Sequence, residues 1–206
     1  MGHGIATNLQ KHGHSLALFA HPGNQPLDAL LSGGAKTYSA LPELAANSEI
    51  IITVLTGSPQ VEAVVTGPGG LLEGIKPGTI LIDCSTSLPE STKVVAQKVV
   101  AAKGRWLDAP MTRTPKEAAE GRLNLLVGGD AALLEAPHRF GGMTVPRVGA
   151  AADLHEHHRA AVEGHDVDVA AQHPLAPADD PVAERLEIPG RLVLAAAAEV
   201  VAARGH

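Results

Sequence analysis

The sequence predicts a doubly wound α/β domain, in which a parallel sheet carries helices on both faces, followed by an irregular or helical tail. Three observations predict this fold class. Between residues 1 and 136, short apolar runs alternate with segments of helical length. The apolar runs contain hardly any polar residues, which is typical of parallel strands buried on both faces. From residue 137 the composition changes, because six of the eleven histidines lie between His138 and His173. We therefore place a domain boundary at residue 136 and treat residues 137–206 as a separate tail.

Each element follows from a local pattern. The chain opens with a helix at residues 1–12, in which Ile5 and Leu9 lie four apart on one face and Gly13 ends the helix. Apolar runs predict five strands, at residues 15–20, 50–55, 79–83, 106–109 and 124–127. The segments between them predict further helices at residues 27–31, 41–47, 60–66, 89–102 and 115–120. The alanine-rich end of the chain is a further helix candidate.

Composition excludes several classes of function. The formal net charge is -6, and the clustered Lys and Arg that bind nucleic acid are absent. No apolar run reaches the roughly 18 residues that a membrane span needs, and the first residues do not form a signal segment. Cys84 is the only cysteine, so no internal disulfide can form. We expect a soluble, cytoplasmic protein that binds neither nucleic acid nor membrane.

The turns that follow the strands are the expected place for a ligand, because doubly wound sheets bind ligands beyond the carboxyl ends of their strands. These turns lie at residues 21–22, 56–58, 84–86 and 111–114. Their small and hydroxylated residues suit a close approach of the backbone to a ligand. The same residues are common in turns without any ligand, so this feature alone does not identify a site.

Six ordered segments carry a resemblance to a known family. They comprise residues 1–9, 53–56, 67–72, 76–79, 82–86, and 108–110 with 121 and 127–129. The first segment resembles the end of the fingerprint G-x-G-x-M-G-x-x-M-A-x-N-L, and the others resemble T-M-L-P, G-x-x-G-L-L, K-P-G-T, I-D-x-S-T, and D-A-P with a later M-V-G-G. Together they resemble the β-hydroxyacid dehydrogenase family, the superfamily of 3-hydroxyisobutyrate and 6-phosphogluconate dehydrogenases. The resemblance covers residues 1–136 and implies a Rossmann-like domain.

The resemblance implies a site for NADP or NAD. We expect the cofactor to contact Gly2, His21, Leu55, Thr56, Ser85 and Thr86, of which Leu55 and Thr86 match family positions that line the cofactor. In Rossmann domains an acid at the end of the second strand holds the ribose hydroxyls of NAD, whereas a basic residue accepts the 2′-phosphate of NADP. Here that strand ends in Ala20, His21 and Pro22 without an acid. We therefore expect NADP in preference to NAD, although His21 would also suit a solvated turn.

The resemblance also implies a substrate turn. Where the family commonly has S-G-G, this chain has Thr112, Arg113 and Thr114. Arg113 adds a planar donor pair that suits a carboxylate, sulfonate or phosphate. We expect a small hydroxy acid, or the aldehyde derived from it, to bind there, unless Arg113 points to solvent.

Two parts of the family pattern are missing. Gly2 is the only glycine of the fingerprint turn in the chain, and the strand before that turn is absent. We therefore expect Met1 to be an internal methionine of a longer protein, and the neighbours of the absent strand to lose ladder partners. The catalytic lysine of G-x-x-x-K-x-x-N-N should lie near residue 160, but no lysine follows Lys116.

Three interpretations of the tail stay open. The reading frame changes soon after Glu135, or the tail is a divergent sequence that replaces the all-helical domain, or its histidines bind a metal. His155 and Glu156 begin a metal-binding pattern, but Arg159 stands where H-E-x-x-H needs its second histidine. We expect no metal site.

Two functions follow from these observations. One is an NAD(P)-dependent oxidoreductase of the 3-hydroxyacid dehydrogenase type, inactive in this chain because the lysine is missing. The other is a catalytically inactive dinucleotide-binding or interaction module, and a homo-oligomer stays open for either. For Asp83 and Asp108, which end two strands, we expect a structural role rather than a catalytic one, and for Trp106 a place in the core.

Overall fold

A computed structural model describes residues 1–19, 21, 26–129 and 192–195. The strands of the main sheet are β1 Leu16–Phe19, β2 Lys36–Tyr38, β3 Ile50–Thr53, β4 Ile80–Asp83, β5 Arg105–Asp108, β8 Gly128–Gly129 and β9 Leu192–Ala195. A separate pair consists of β6 Met111–Thr112 and β7 Asn124–Leu125. The helices are α1 Gly2–Lys11, α2 Asp28–Ser32, α3 Leu41–Ala46, α4 Ser58–Thr66, α5 Pro89–Ala101 and α6 Pro115–Ala119, with a 3₁₀ turn at Leu71–Glu73.

The main sheet confirms the predicted doubly wound α/β class. Its strand order is β2-β1-β9-β3-β4-β5-β8. The first six strands in that order are parallel, and only β8 pairs antiparallel with β5. Among the described residues, no helix is long and apolar enough to cross a membrane.

Alternation along the strands divides the core into two layers. Ile50 and Ile52 of β3 pack with α1 residues Ile5 and Leu9 on one face of the sheet. Ile51, between them in the sequence, packs on the other face, in the layer that contains side chains of α3, α4 and α5. Successive side chains of a strand point to opposite faces, so a run of three isoleucines supports both layers at once. Trp106 is 4% exposed in the second layer, which confirms the predicted core position.

The sheet has no gap between β1 and β3. There β9 pairs in parallel with both neighbours, with Ala17 and Ile51 each opposite Val193. In the Rossmann order 3-2-1-4-5-6, this is the position of the first strand. The expectation that β1 and β3 lack ladder partners is therefore wrong, because residues from the tail occupy the position.

Several short strands differ from the sequence-based prediction. The alanine-rich end of the chain was expected to be helical, but Leu192–Ala195 is a strand. Apart from that strand, the predicted tail lies outside the described residues, and so do its histidines and the domain boundary at residue 136. The sequence pattern also misses β2, which lies at the sheet edge and exposes Lys36 and Thr37, so it lacks an apolar run.

Candidate functional site

The candidate site lies along the edge where the parallel strands end. The turns after β1, β3, β4 and β5 all meet this edge, because parallel strands share one direction. Helix α1 reaches β1 through a short turn and therefore runs opposite to it, so that Gly2 lies at the same edge. The N-cap Met1 makes no side-chain hydrogen bond, and the first turn of α1 contains no acid. The helix therefore presents free N–H groups and a partial positive charge, which suits an anion.

A hydrogen-bonded network joins the turns after β3 and β4. The Thr53 hydroxyl donates to Asp83 Oδ1 at 2.7 Å, and the Ser85 backbone N–H donates to the same oxygen at 3.2 Å. The Leu55 N–H in turn donates to Ser85 Oγ at 2.9 Å. All four residues are buried. The network therefore fixes the two turns relative to each other.

The predicted cofactor residues in these turns have different environments. Leu55 and Ser85 are buried, and the Ser85 hydroxyl accepts the bond from Leu55. Thr56 and Thr86 are exposed, so their hydroxyls are accessible to a ligand. Ser85 thus positions the turn. The sequence signal for the network is a Thr or Asp at the end of each of two adjacent strands.

His21 follows β1 at the same edge. Its ring lies 6.3 Å from that of Phe19, centroid to centroid, at a tilt of 41°. Its Nδ1 is buried and has no hydrogen-bond partner among the described residues. Residues 20 and 22–25 lie outside the described part of the chain. His21 is thus a half-buried donor or acceptor at the position that selects between NAD and NADP in Rossmann domains.

Two carboxyl groups lie behind the turns. Asp83 and Asp108 are opposite each other in the register of β4 and β5. Burial raises the pKa of Asp83, although the bonds from Ser85 and Thr53 favour its charged form. Burial, and secondarily the charge of Asp83, raises the pKa of Asp108 to about 7. Burial likewise raises the pKa of the Cys84 thiol, so this thiol is not a nucleophile at neutral pH.

The environment of the two aspartates separates their roles. Asp83 binds backbone and side chain of the neighbouring turn, as expected for a structural carboxylate. Asp108 Oδ1 is buried without a partner among the described residues, so no such bond supports a structural role for it.

The predicted substrate turn has an unusual backbone. Arg113 is exposed and has a φ of 80°, in the left-handed region that favours glycine. Thr114 begins α6 with a capping box, since its hydroxyl accepts from the Lys116 N–H and the Glu117 carboxylate accepts from the Thr114 N–H. The bond from the Thr114 hydroxyl lowers the pKa of Glu117. Thr114 therefore holds the helix start, and Thr112 and Arg113 are the side chains available to a ligand.

The donors at this edge fit a dinucleotide. An uncapped helix start suits an anion such as a pyrophosphate, exposed threonine hydroxyls can form hydrogen bonds to a ligand, and His21 follows the strand whose end contacts the ribose in Rossmann domains. In the described part of the chain, no group of three His, Cys, Asp or Glu side chains could hold a metal ion.

Comparisons with known proteins agree with this geometry. The profile described as "NAD binding domain of 6-phosphogluconate dehydrogenase" matches residues 1–140. The chain is 38% identical over 136 residues to 2-(hydroxymethyl)glutarate dehydrogenase of Eubacterium barkeri, covering 66% of this chain and 44% of that protein. It is 31% identical over 135 residues to the cytokine-like nuclear factor N-PAC of Xenopus tropicalis, covering 66% of this chain and 25% of that protein. The chain thus spans less than half the length of either relative.

A solved structure supports the same fold. The 3-hydroxyisobutyrate dehydrogenase of Mycobacterium tuberculosis, determined with L-serine, superposes with a TM-score of 0.66 at 26% identity. The superposition covers 78% of this chain and 54% of that chain.

Proposed function

This chain belongs to the β-hydroxyacid dehydrogenase family, and from that membership we propose that it binds NADP or NAD along the carboxyl edge of its sheet and takes a small 3-hydroxy acid beside it. The observation that carries the proposal is the pair of turns after β3 and β4, which the Asp83 network fixes in one arrangement with the hydroxyls of Thr56 and Thr86 exposed. When bound, the dinucleotide supplies hydride transfer to and from the alcohol carbon.

The chain's own residues perform the binding steps. The first-turn amides of α1, beginning at Gly2, would hold the pyrophosphate of the dinucleotide through hydrogen bonds and the helix dipole. Leu55 would present an apolar surface to the dinucleotide, and the exposed Thr86 hydroxyl would offer it a hydrogen bond. Arg113 binds the acid group of the substrate through two parallel N–H donors.

We propose NADP as the preferred cofactor. No acid stands in the described part of the β1 exit to hold the ribose hydroxyls, and His21 offers a ring nitrogen to a 2′-phosphate. The test is the ratio of the dissociation constants for NAD and NADP, measured on the full chain.

The chain lacks the lysine that the family uses to move the proton of the alcohol. No lysine follows Lys116. Asp83 binds the turn network, and burial keeps the Cys84 thiol neutral, so neither group replaces the lysine. We therefore propose binding without turnover. Cofactor-dependent oxidation of a hydroxy acid by the purified chain, lost on substitution of Thr112 and Arg113, would overturn this part of the proposal.

A second candidate is an interaction module that binds a dinucleotide without catalysis. The similarity to a nuclear factor, N-PAC, favours it, because that relative is not named as a dehydrogenase. Both candidates bind dinucleotide. They differ in whether a hydroxy acid then binds, and a titration of 3-hydroxyisobutyrate into the NADP-saturated chain distinguishes them. Saturable binding supports the dehydrogenase-type site, and its absence supports the module.

A further inference from the structure

Helices α1 and α6 approach each other closely at one point. A Cβ atom added to Gly4 would lie 2.8 Å from the carbonyl carbon of Ala118 and 2.8 Å from the nitrogen of Ala119. Real Cβ atoms do not approach backbone so closely, so glycine is required at this crossing. The backbones of α1 and α6 are therefore in direct contact at this point.

The side chain of Asn8 joins the two helices at this crossing. Its Nδ2 donates to the carbonyl oxygen of Ala118 at 2.7 Å and to that of Ala119 at 2.8 Å. It also lies 3.0 Å from the carbonyl oxygen of Gly4, one turn earlier on its own helix. The residue is 6% exposed. Because the last carbonyls of a helix have no partner within it, Asn8 caps the end of α6 from another helix.

The chain leaves α6 in a way that accommodates Asn8. Gly121 has a φ of 70°, and a Cβ there would lie 2.8 Å from Asn8 Oδ1. Both the left-handed backbone and the space require glycine. The junction thus consists of two glycines and one amide side chain, and they match each other in shape.

The position of α6 gives this junction a consequence. The helix is only five residues long, and its start is fixed by the capping box of its N-cap residue Thr114. Arg113 immediately precedes Thr114. A displacement at its Asn8 end therefore moves the turn that carries Thr112 and Arg113. Asn8 itself belongs to α1, the helix that begins at Gly2.

We propose that Asn8 is a positioning residue that holds the substrate turn at residues 112–114 in register with the cofactor helix. The inference rests on the proposed function of the site. It assigns to one amide the link between the place where the dinucleotide binds and the place where the acid binds. Occupation of the α1 end by a dinucleotide then orders the substrate turn.

The test compares backbone hydrogen exchange in the wild-type chain, Asn8→Asp and Gln10→Ala. Asn8→Asp keeps the shape but replaces the donor with an oxygen that faces two carbonyls. Gln10→Ala is the matched control, because Gln10 Nε2 donates from the same helix to the Leu30 carbonyl at 2.8 Å, away from α6. We expect Asn8→Asp alone to raise exchange at residues 111–121 roughly tenfold, with β3 and β4 unchanged.

Adding NADP distinguishes a positioning role of Asn8 from a role that only stabilises the fold. In the wild type, NADP should protect both the start of α1 and residues 111–121, and in Asn8→Asp only the start of α1. Equal exchange at residues 111–121 in wild type and Asn8→Asp would overturn the proposal, as would the same NADP-dependent protection in both. Should Asn8→Asp fail to fold, Asn8→Ala, which removes the donor to the Ala118 and Ala119 carbonyls without adding a charge, must loosen residues 111–121. An unchanged rate there would also overturn the proposal.

If NADP protects no part of the wild type, the proposed function fails. The comparison of exchange rates without NADP then still tests whether Asn8 holds the substrate turn.

Discussion

Asp83 and Asp108 occupy paired positions at the ends of β4 and β5, so two carboxyl groups lie side by side behind the turns that follow these strands. Asp83 accepts a hydroxyl and a backbone N–H, which stabilise its negative charge. Asp108 Oδ1 is buried without a partner among the described residues. We therefore assign the charge of the pair to Asp83 and the proton to Asp108. Below the Asp108 pKa of about 7, this division leaves the pair with only one buried charge.

The first prediction concerns pH. The folded state holds the Asp108 proton up to a pKa of about 7, whereas its ordinary value is 3.8. Between these values the folded chain binds more protons than the unfolded chain, so the free energy of unfolding falls as pH rises, by at most ~1.4 kcal/mol per unit. Asp108→Asn should flatten this slope. Urea unfolding at about pH 5 and about pH 8 measures it, with the exposed Asp28→Asn as control. An equal slope in Asp108→Asn and wild type would contradict the assignment.

The second prediction concerns Arg113. Arg113→Gly removes the left-handed strain at φ 80°, so the free energy of unfolding should stay unchanged or rise by up to ~1 kcal/mol. The same change should weaken binding of a small hydroxy acid to the NADP-saturated chain at least roughly tenfold, because both donors are lost. Arg113→Lys keeps the charge but not the planar pair, and should give an intermediate affinity. Titration calorimetry on the three proteins checks this. Unchanged affinity in Arg113→Gly would mean that Arg113 faces solvent.

The third prediction concerns cofactor choice. His21→Asp introduces the carboxylate that holds ribose hydroxyls and repels a 2′-phosphate. We expect the affinity for NADP to fall roughly tenfold relative to that for NAD. His21→Asn, which adds no charge, is the control and should shift the ratio less. A preference for NAD already in the wild type would remove the role proposed for His21.

The fourth prediction concerns β9. Val193→Pro removes a backbone N–H from a strand with neighbours on both sides, and proline is not tolerated there. We expect a loss of roughly 1–3 kcal/mol in the free energy of unfolding, because a ladder carbonyl loses its donor. Val193→Ala keeps the N–H and should cost much less. If both variants unfold at the same urea concentration, residues 192–195 do not complete the sheet in solution.

The sequence predicts much of the fold because alternating burial is a local signal. The isoleucines of β3 and the helix positions Ile5 and Leu9 identify the two layers without any long-range information. The β9 pairing is different, since it joins Val193 to residues far along the chain, and its alanine-rich flank favours a helix by propensity. Pairing with distant strands makes residues 192–195 a strand, and no local sequence pattern indicates that pairing.

The site was predicted less completely, because residue type does not reveal how a hydroxyl is bonded. Ser85 and Thr114 are both predicted site residues, but their hydroxyls bond to Leu55 and Glu117. Thr56 and Thr86 are predicted site residues of the same type and are exposed. The link through Asn8 was not predicted either, because its partners are 110 and 111 residues away.

The most direct test of the central claim is a calorimetric titration of NADP into the folded full chain, together with Thr86→Glu and Thr86→Val. The account predicts saturable binding with one site in the wild type. Thr86→Glu should bind at least roughly tenfold more weakly, because it brings a carboxylate up to an anionic ligand, whereas Thr86→Val, which loses one neutral hydrogen bond, should bind only about two- to fivefold more weakly. A folded wild-type chain that binds no NADP or NAD, or a Thr86→Glu variant with unchanged affinity, would contradict a dinucleotide site at this edge of the sheet.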